Sequence, residues 1–138
     1  MAVGFGFAHP DQIKQIRELR TGKNGILGIQ AAYASYQDQE FQNFSRRKNR
    51  ESLDLVEEMF EELNVRYIKS NANFTFFKTG INVNEINSTL LEHGIASGRP
   101  FPPFTNWSRV SMDKPEHMRY YVQTFKKLFG DRIKDSAS

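Results

Sequence analysis

Two arginines are the residues of this sequence best placed to do chemistry. Arg109 stands in the run Trp107-Ser108-Arg109-Val110-Ser111, and Arg99 follows Gly98 at the head of a loop stiffened by Pro100, Pro102 and Pro103. A guanidinium is planar, offers a fork of donors that meets a carboxylate with two parallel hydrogen bonds, and stays charged near neutral pH. In a strand-like run with apolar neighbours, the Arg109 fork must point to a pocket, to a carboxylate of the protein or to solvent. The local pattern leaves two readings open: a structural ion pair, or a binding group for an external anion.

Other chemistries have weaker support. There is no cysteine, which excludes a disulfide scaffold, a zinc ribbon, an iron–sulfur cluster and a thiol nucleophile together. His9, His93 and His117 are far apart and lack carboxylates at metal-ligand spacing, so no metal site is expected. Gly4-Phe5-Gly6 begins a GxG, but His9 stands where a dinucleotide fingerprint needs glycine. Gly22, Gly25 and Gly28 flank a helix start and read as turn chemistry before they read as an anion cradle. Asn43, Asn73, Asn87 and Asn106 open Asn-x-Ser/Thr triplets, and Pro100 to Pro103 fits PxxP; neither pattern is specific here. The run Phe74-Thr75-Phe76-Phe77 could suggest a base-stacking sheet, yet it lacks the glycine and basic positions of that motif, so core packing is the expectation. Arg46, Arg47, Lys48 and Arg50 form the one basic cluster, either a solvated helix face or an anion-binding patch.

The elements that must position these residues can be read from periodicity and punctuation. Phe5 to Ala8 is a short extended piece, and Pro10 then opens a helix carrying Ile13, Ile16 and Leu19 and stopped by Gly22. Ile26, Ile29, Ala32, Tyr33 and Tyr36 follow on a second helix. From Asp38 the helical pattern continues or restarts, with Phe41, Phe44, Leu53, Val56, Met59, Phe60 and Leu63 on one stripe. Val65 to Ile68 and Ala72 to Phe77 have strand length and composition. Asn82 with Glu85 caps a helix that ends at Gly94. Ile95 and Ala96 can begin a strand, Trp107 to Met112 is the next, and Asp113 with Glu116 opens a last helix that Gly130 ends. The expected order is long helices followed by a β-β-α-β-β-α unit, an α+β domain. The leading extended piece has no obvious partner within the chain, as though its sheet were encoded elsewhere.

Composition sets the outer bounds. The 138 residues are 38% hydrophobic, 13% aromatic and 25% charged, ordinary for one globular domain. The formal charge is +3 and the pI about 9.2, a mild basic balance. No apolar run approaches the roughly 18 residues that span a bilayer, and Met1 to Phe7 lacks the pattern of a signal peptide. A cytoplasmic chain without membrane contact is the expectation.

Several landmarks together carry a family resemblance. Ser70-Asn71-Ala72-Asn73-Phe74, then Leu91-Glu92-His93-Gly94-Ile95, then Asn106-Trp107-Ser108-Arg109-Val110-Ser111 with Pro115-Glu116-His117-Met118 occur in order. This series resembles the fold-type-I, pyridoxal-phosphate-dependent class I/II aminotransferases, and most of all their histidinol-phosphate branch. The resemblance implies an α/β fold corresponding to the C-terminal portion of such an enzyme: 1–37 a remnant of the large cofactor domain and its connecting helix, 38–64 a linking helix, 65–130 the small domain, and 131–138 a flexible tail. It implies that Arg109 forks onto the substrate α-carboxylate and that Arg99 meets the substrate's distal anionic group. It also implies absences. The family's Ser-Lys-x-x-Gly-x-x-Gly-x-Arg-x-Gly run would end at Ala2-Val3-Gly4-Phe5, so the phosphate-binding arginine position is Ala2 and the Schiff-base lysine position precedes Met1. This implies that the chain alone holds no pyridoxal phosphate covalently, contributes no catalytic residue and does not transaminate. The partners implied are an amino-acid or 2-oxo-acid substrate, and a complementary large-domain chain or a homodimer, without nucleic acid. Two rival readings remain: an anion-binding or protein-interaction module on the small-domain fold, and a basic nucleic-acid binder built on Arg46 to Arg50.

Overall fold

The computed structural model of the chain describes residues 3–22 and 25–137. They form two compact units, Met1–Phe44 and Ser45–Ser138.

The first unit holds helices α1 (Pro10–Leu19) and α2 (Ile26–Gln37) and the start of α3 (Gln39–Glu62). Pro10 takes the first helical position, where its missing N–H costs nothing, and the His9 ring accepts a bond from the Asp11 amide. A break at Asp38 separates α2 from α3, and the Asp38 carboxylate caps the restart by accepting from the Phe41 amide at 2.8 Å. The leading extended piece expected at Phe5–Ala8 forms no strand: residues 3–9 have no regular structure. A strand exists by bonding to a neighbour, and none is available there.

The second unit packs three helices on one side of a small sheet. Its elements are the rest of α3, β1 (Tyr67–Ile68), β2 (Phe74–Lys78), α4 (Val83–Glu92), β3 (Trp107–Ser111) and α5 (Pro115–Ala137). The sheet is antiparallel in the order β1-β2-β3, with Phe77 opposite Ser108 and Phe76 opposite Arg109. Strand alternation sends Phe77 and Thr75 to the helical side and Phe74 and Phe76 to the other. Phe77 accordingly sits in the core with Phe60, Phe125, Phe129, Ile86, Leu90 and Ile133, while Phe74 and Phe76 stay half-buried outside it. Core packing thus holds for only one of the three phenylalanines. The fully buried Phe60, Phe77 and Phe125 each contribute on the order of 1.5–3 kcal/mol through burial.

Two boundaries differ from the sequence expectation. Ile95 and Ala96 form no strand. Gly94 turns with φ +76° and closes α4, and the Ile95 amide bonds back to the Leu90 carbonyl at 3.0 Å, so it serves the helix end and not a sheet. Gly130 does not end the last helix, because α5 continues to Ala137. Gly130 is buried, and a β-carbon there would lie 3.6 Å from Cδ2 of Leu63, the residue just past α3. One turn further on, Ile133 is buried in the core and holds the helix past the glycine.

Candidate functional site

The site is built on β3 and on the loop that precedes it. Asn82 caps α4 by accepting from the Asn84 amide at 2.9 Å, and Asn87 on that helix donates to the Gly98 carbonyl at 2.8 Å. Gly98 lies so near β3 that a β-carbon would stand 3.1 Å from the Arg109 carbonyl oxygen, so a larger residue would push the loop and strand apart by a few tenths of an ångström. The chain then folds Phe101 and Phe104 back over the sheet, joined by an isolated bridge.

Arg109 projects from the outer face of β3. Its guanidinium carbon lies 4.0 Å from the centre of the Phe74 ring. Its Nε is buried without a hydrogen-bond partner, and among the described residues no carboxylate pairs with it. The structural ion pair left open by the sequence does not form among the described residues. A buried donor without a partner costs roughly 1–3 kcal/mol, a cost that an anion docked on the guanidinium can offset. Arg109 also lines a cleft of about 600 Å³ together with Gly98, Ser111, Asp113, His117 and Tyr120. At the cleft's rim His117 Nδ1 meets the Asp113 carboxylate at 2.8 Å, and the Lys114 amide donates to the same side chain at 2.7 Å. These two hydrogen bonds, that of His117 foremost, hold the Asp113 carboxyl below its ordinary range.

Arg99 is exposed, with its guanidinium carbon 4.7 Å from the centre of the Phe101 ring. Phe101 meets Phe76 edge-on at 5.9 Å, and Phe76 is the register partner of Arg109. The two arginines singled out in the sequence therefore flank one aromatic cluster. Ala2, the position corresponding to the phosphate arginine, lies outside the described residues.

The remaining candidates resolve into local structure. Lys48 pairs with Glu51 at 2.8 Å, and Arg50 pairs with Asp54 at 2.7 Å and Glu57 at 2.6 Å. Burial pulls the Arg50 pKa down, but hydrogen bonds to Glu57 and Asp54 outweigh it and the net direction is up. Much of the basic cluster is thus neutralised by its own helix. His93 Nδ1 lies 3.0 Å from the Thr89 carbonyl, and no group of three potential metal ligands occurs among the described residues. No described helix is long and apolar enough to cross a membrane. Sequence reasoning missed Arg66, whose guanidinium carbon stands 5.9 Å from the centre of the Trp107 ring, and the folding of Phe101 and Phe104 onto Phe76. Both depend on cross-strand register and loop closure, which composition does not show.

Histidinol-phosphate aminotransferase 1 of Idiomarina loihiensis is 30% identical over 86 residues, covering 59% of this chain and 23% of that protein. Histidinol-phosphate aminotransferase 2 of Hydrogenovibrio crunogenus is 28% identical over 83 residues, covering 58% and 22%. A solved structure from Erwinia carotovora atroseptica, assigned as a histidinol-phosphate aminotransferase, superposes on 91% of this chain with a TM-score of 0.81 at 28% identity. The chain is similar to the C-terminal portion of histidinol-phosphate aminotransferases. The Sinorhizobium meliloti histidinol-phosphate aminotransferase, solved with pyridoxal 5′-phosphate, shares the fold over 76% of the chain, with a TM-score of 0.64 at 19% identity. No protein-family model matches the chain. This aminotransferase-like chain spans less than a quarter of the curated relatives' length and 30–36% of the solved ones.

Proposed function

We propose that this chain supplies the substrate-anion side of a cytoplasmic pyridoxal-phosphate-dependent aminotransferase, acting in amino transfer between an amino substrate such as histidinol phosphate and a 2-oxo acid, with Arg109 gripping the carboxylate of the 2-oxo acid and of the amino acid it becomes. The observation that carries the reading is Arg109: a half-buried guanidinium with no acid partner among the described residues, in a chain whose fold matches a histidinol-phosphate aminotransferase. Its role is to grip the substrate carboxylate with two parallel bonds and so orient the Cα substituents. Arg99 serves a second anionic group. Residues 65–130 act as the small domain, 38–64 as the linking helix, and 1–37 as a remnant of the large cofactor domain with its connecting helix.

The cofactor does not fit the residues gathered here. Among the described residues, the cleft beside Arg109 is lined by no lysine that could hold the cofactor's aldehyde. No chemical step is therefore assigned to this chain; it binds and orients. The test is to combine this chain with the part of the Idiomarina relative that it does not cover and measure amino transfer. Activity only in the mixture is expected. Turnover by this chain alone, or stoichiometric borohydride trapping of pyridoxal phosphate on one of its lysines, contradicts the reading.

A further inference from the structure

Cations on the outer face of the sheet are held differently from those elsewhere in the second unit. Lys48, Arg50, Arg119, Lys126 and Arg132 each pair with a carboxylate. Arg66, Arg99 and Arg109 instead lie over the rings of Trp107, Phe101 and Phe74, and Lys78 stands opposite Trp107 in the strand register. None of these four has an acid partner among the described residues. Lys78 also stands across from Arg66, because its amide donates to the Arg66 carbonyl at 2.8 Å. Like charges directly across a strand pair repel, so this end of the sheet favours an anion beside it. The rings form a continuous group: Phe76 stacks on Trp107 with centres 5.2 Å apart and planes at 26°, and Phe104 meets Phe76 edge-on while remaining 52% exposed.

We infer that this face binds single-stranded nucleic acid, a ligand class outside what the aminotransferase resemblance implies. Bases lie on the rings and on the guanidinium planes above them, and phosphates meet the unpaired cations. Spacing favours a single strand over a duplex. Alternate residues such as Trp107 and Arg109 are about 6.6–6.8 Å apart along a strand, and neighbouring strands lie about 4.7–4.9 Å apart. Both distances exceed the roughly 3.4 Å between bases along one strand of a duplex, so the face suits bases that are already unstacked. The basic cluster on α3 is less suited to phosphates, because Glu51, Asp54 and Glu57 already neutralise Lys48 and Arg50.

Trp107 is the only tryptophan, so its fluorescence reports on this face directly. The chain is titrated with oligouridylate and oligothymidylate of about ten nucleotides, with a duplex of the same length, and with inorganic polyphosphate of matching charge. Anisotropy of an end-labelled oligonucleotide is the second readout. Saturable binding of a single strand is expected, about tenfold or more tighter than of the duplex or the polyphosphate. Contacts to three or four phosphates should make log K fall against log salt with a slope of about −2 to −3. Arg66, Lys78 and Phe104 have no part in the carboxylate role proposed above, and all three are exposed, so replacing them leaves the fold intact. Arg66→Gln together with Lys78→Gln should flatten the salt slope by about one unit, and Phe104→Ala should weaken binding about fivefold or more. Arg47→Gln, exposed on α3, should change nothing. Polyphosphate or duplex binding as tightly as the single strands overturns the inference. So does an Arg47→Gln loss equal to that of the double variant, or an unchanged anisotropy throughout.

Discussion

Residues 10–37 and residues 45–133 use the same sequence device, helices with apolar faces, and reach opposite ends. In the second unit Leu53, Val56, Met59 and Phe60 on α3 are 0–1% exposed, covered by β2, α4 and α5. In the first, α1 buries no residue and α2 buries only Gly28, while Leu19 is 82%, Leu27 77% and Phe7 92% exposed. Helix α2 is apolar on nearly every side, with Ile26, Leu27, Ile29, Ala31, Ala32 and Tyr33. A helix of that composition belongs inside a larger body of protein. The lesson is that periodicity specifies a helix and its apolar face but not the surface that will cover it. The second unit contains its own cover. The first leaves its apolar residues exposed, and the solved relatives are more than twice this length.

The sharpest way to break this contrast is to remove one phenylalanine from each unit. Phe60→Ala should cost about 3–5 kcal/mol, because it opens a cavity in a packed core. Phe7→Ala should stay within about 0.5 kcal/mol. Urea unfolding of the two variants measures both, and equal losses would mean that the first unit has a core of its own.

Association comes next in size. Exposed apolar patches of this extent promote self-association, so the chain should oligomerise as its concentration rises. Replacing Leu19 and Leu27 by glutamate together should weaken that by about tenfold or more in light scattering. A parent chain that stays monomeric at high concentration would count against the exposed face.

Two smaller effects sharpen the picture of the second unit. The Ser52 hydroxyl, buried on α3, donates to the Asp113 carbonyl at 2.7 Å and ties that helix to the turn before α5. Ser52→Ala should cost about 1–3 kcal/mol if the carbonyl is left unsatisfied, and nearer the lower figure if water reaches it. The Asp113 carboxylate supplies the smallest effect. Hydrogen bonds from His117 and then from the Lys114 amide hold its folded pKa below the ordinary value of 3.8. The associated stability is therefore present above pH 3.8 and lost as pH falls through the lower, folded value. Asp113→Asn should flatten that acid limb slightly in a pH series of thermal melts, and an unchanged limb would show that the pair contributes nothing.

Much of the second unit was legible because local signals agree with one another. Asn82 and Gly94 punctuate α4, and apolar spacing marks the buried stripe of α3. Three things were not legible. Gly130 reads as a stop, but the buried Ile133 beyond it outweighs glycine's roughly 1 kcal/mol helix penalty. Ile95 reads as strand, but its amide is engaged by Leu90. The phenylalanines of β2 read as core, but a two-residue period divides them between faces, and only the cross-strand register shows that Phe76 meets Trp107 and Arg109. For the site, Arg109 stood out by its strand context and Arg99 through the family resemblance, whereas Arg66 entered through its place over Trp107 and Phe101 and Phe104 through loop closure.

The central claim is that Arg109 grips a substrate carboxylate once the first unit has found its partner. In an enzyme reconstituted from this chain and the complementary portion of a relative, kcat/KM should be compared for the parent, Arg109→Ala, Arg109→Lys and Arg47→Ala. Loss of a hydrogen-bonded charge pair costs about 2–5 kcal/mol, so Arg109→Ala should lower kcat/KM by roughly thirty-fold to several-thousand-fold. Lysine should restore part of the loss, because an ammonium lacks the fork, and Arg47→Ala, exposed on α3, should match the parent. An Arg109→Ala enzyme within about threefold of the parent would contradict the account.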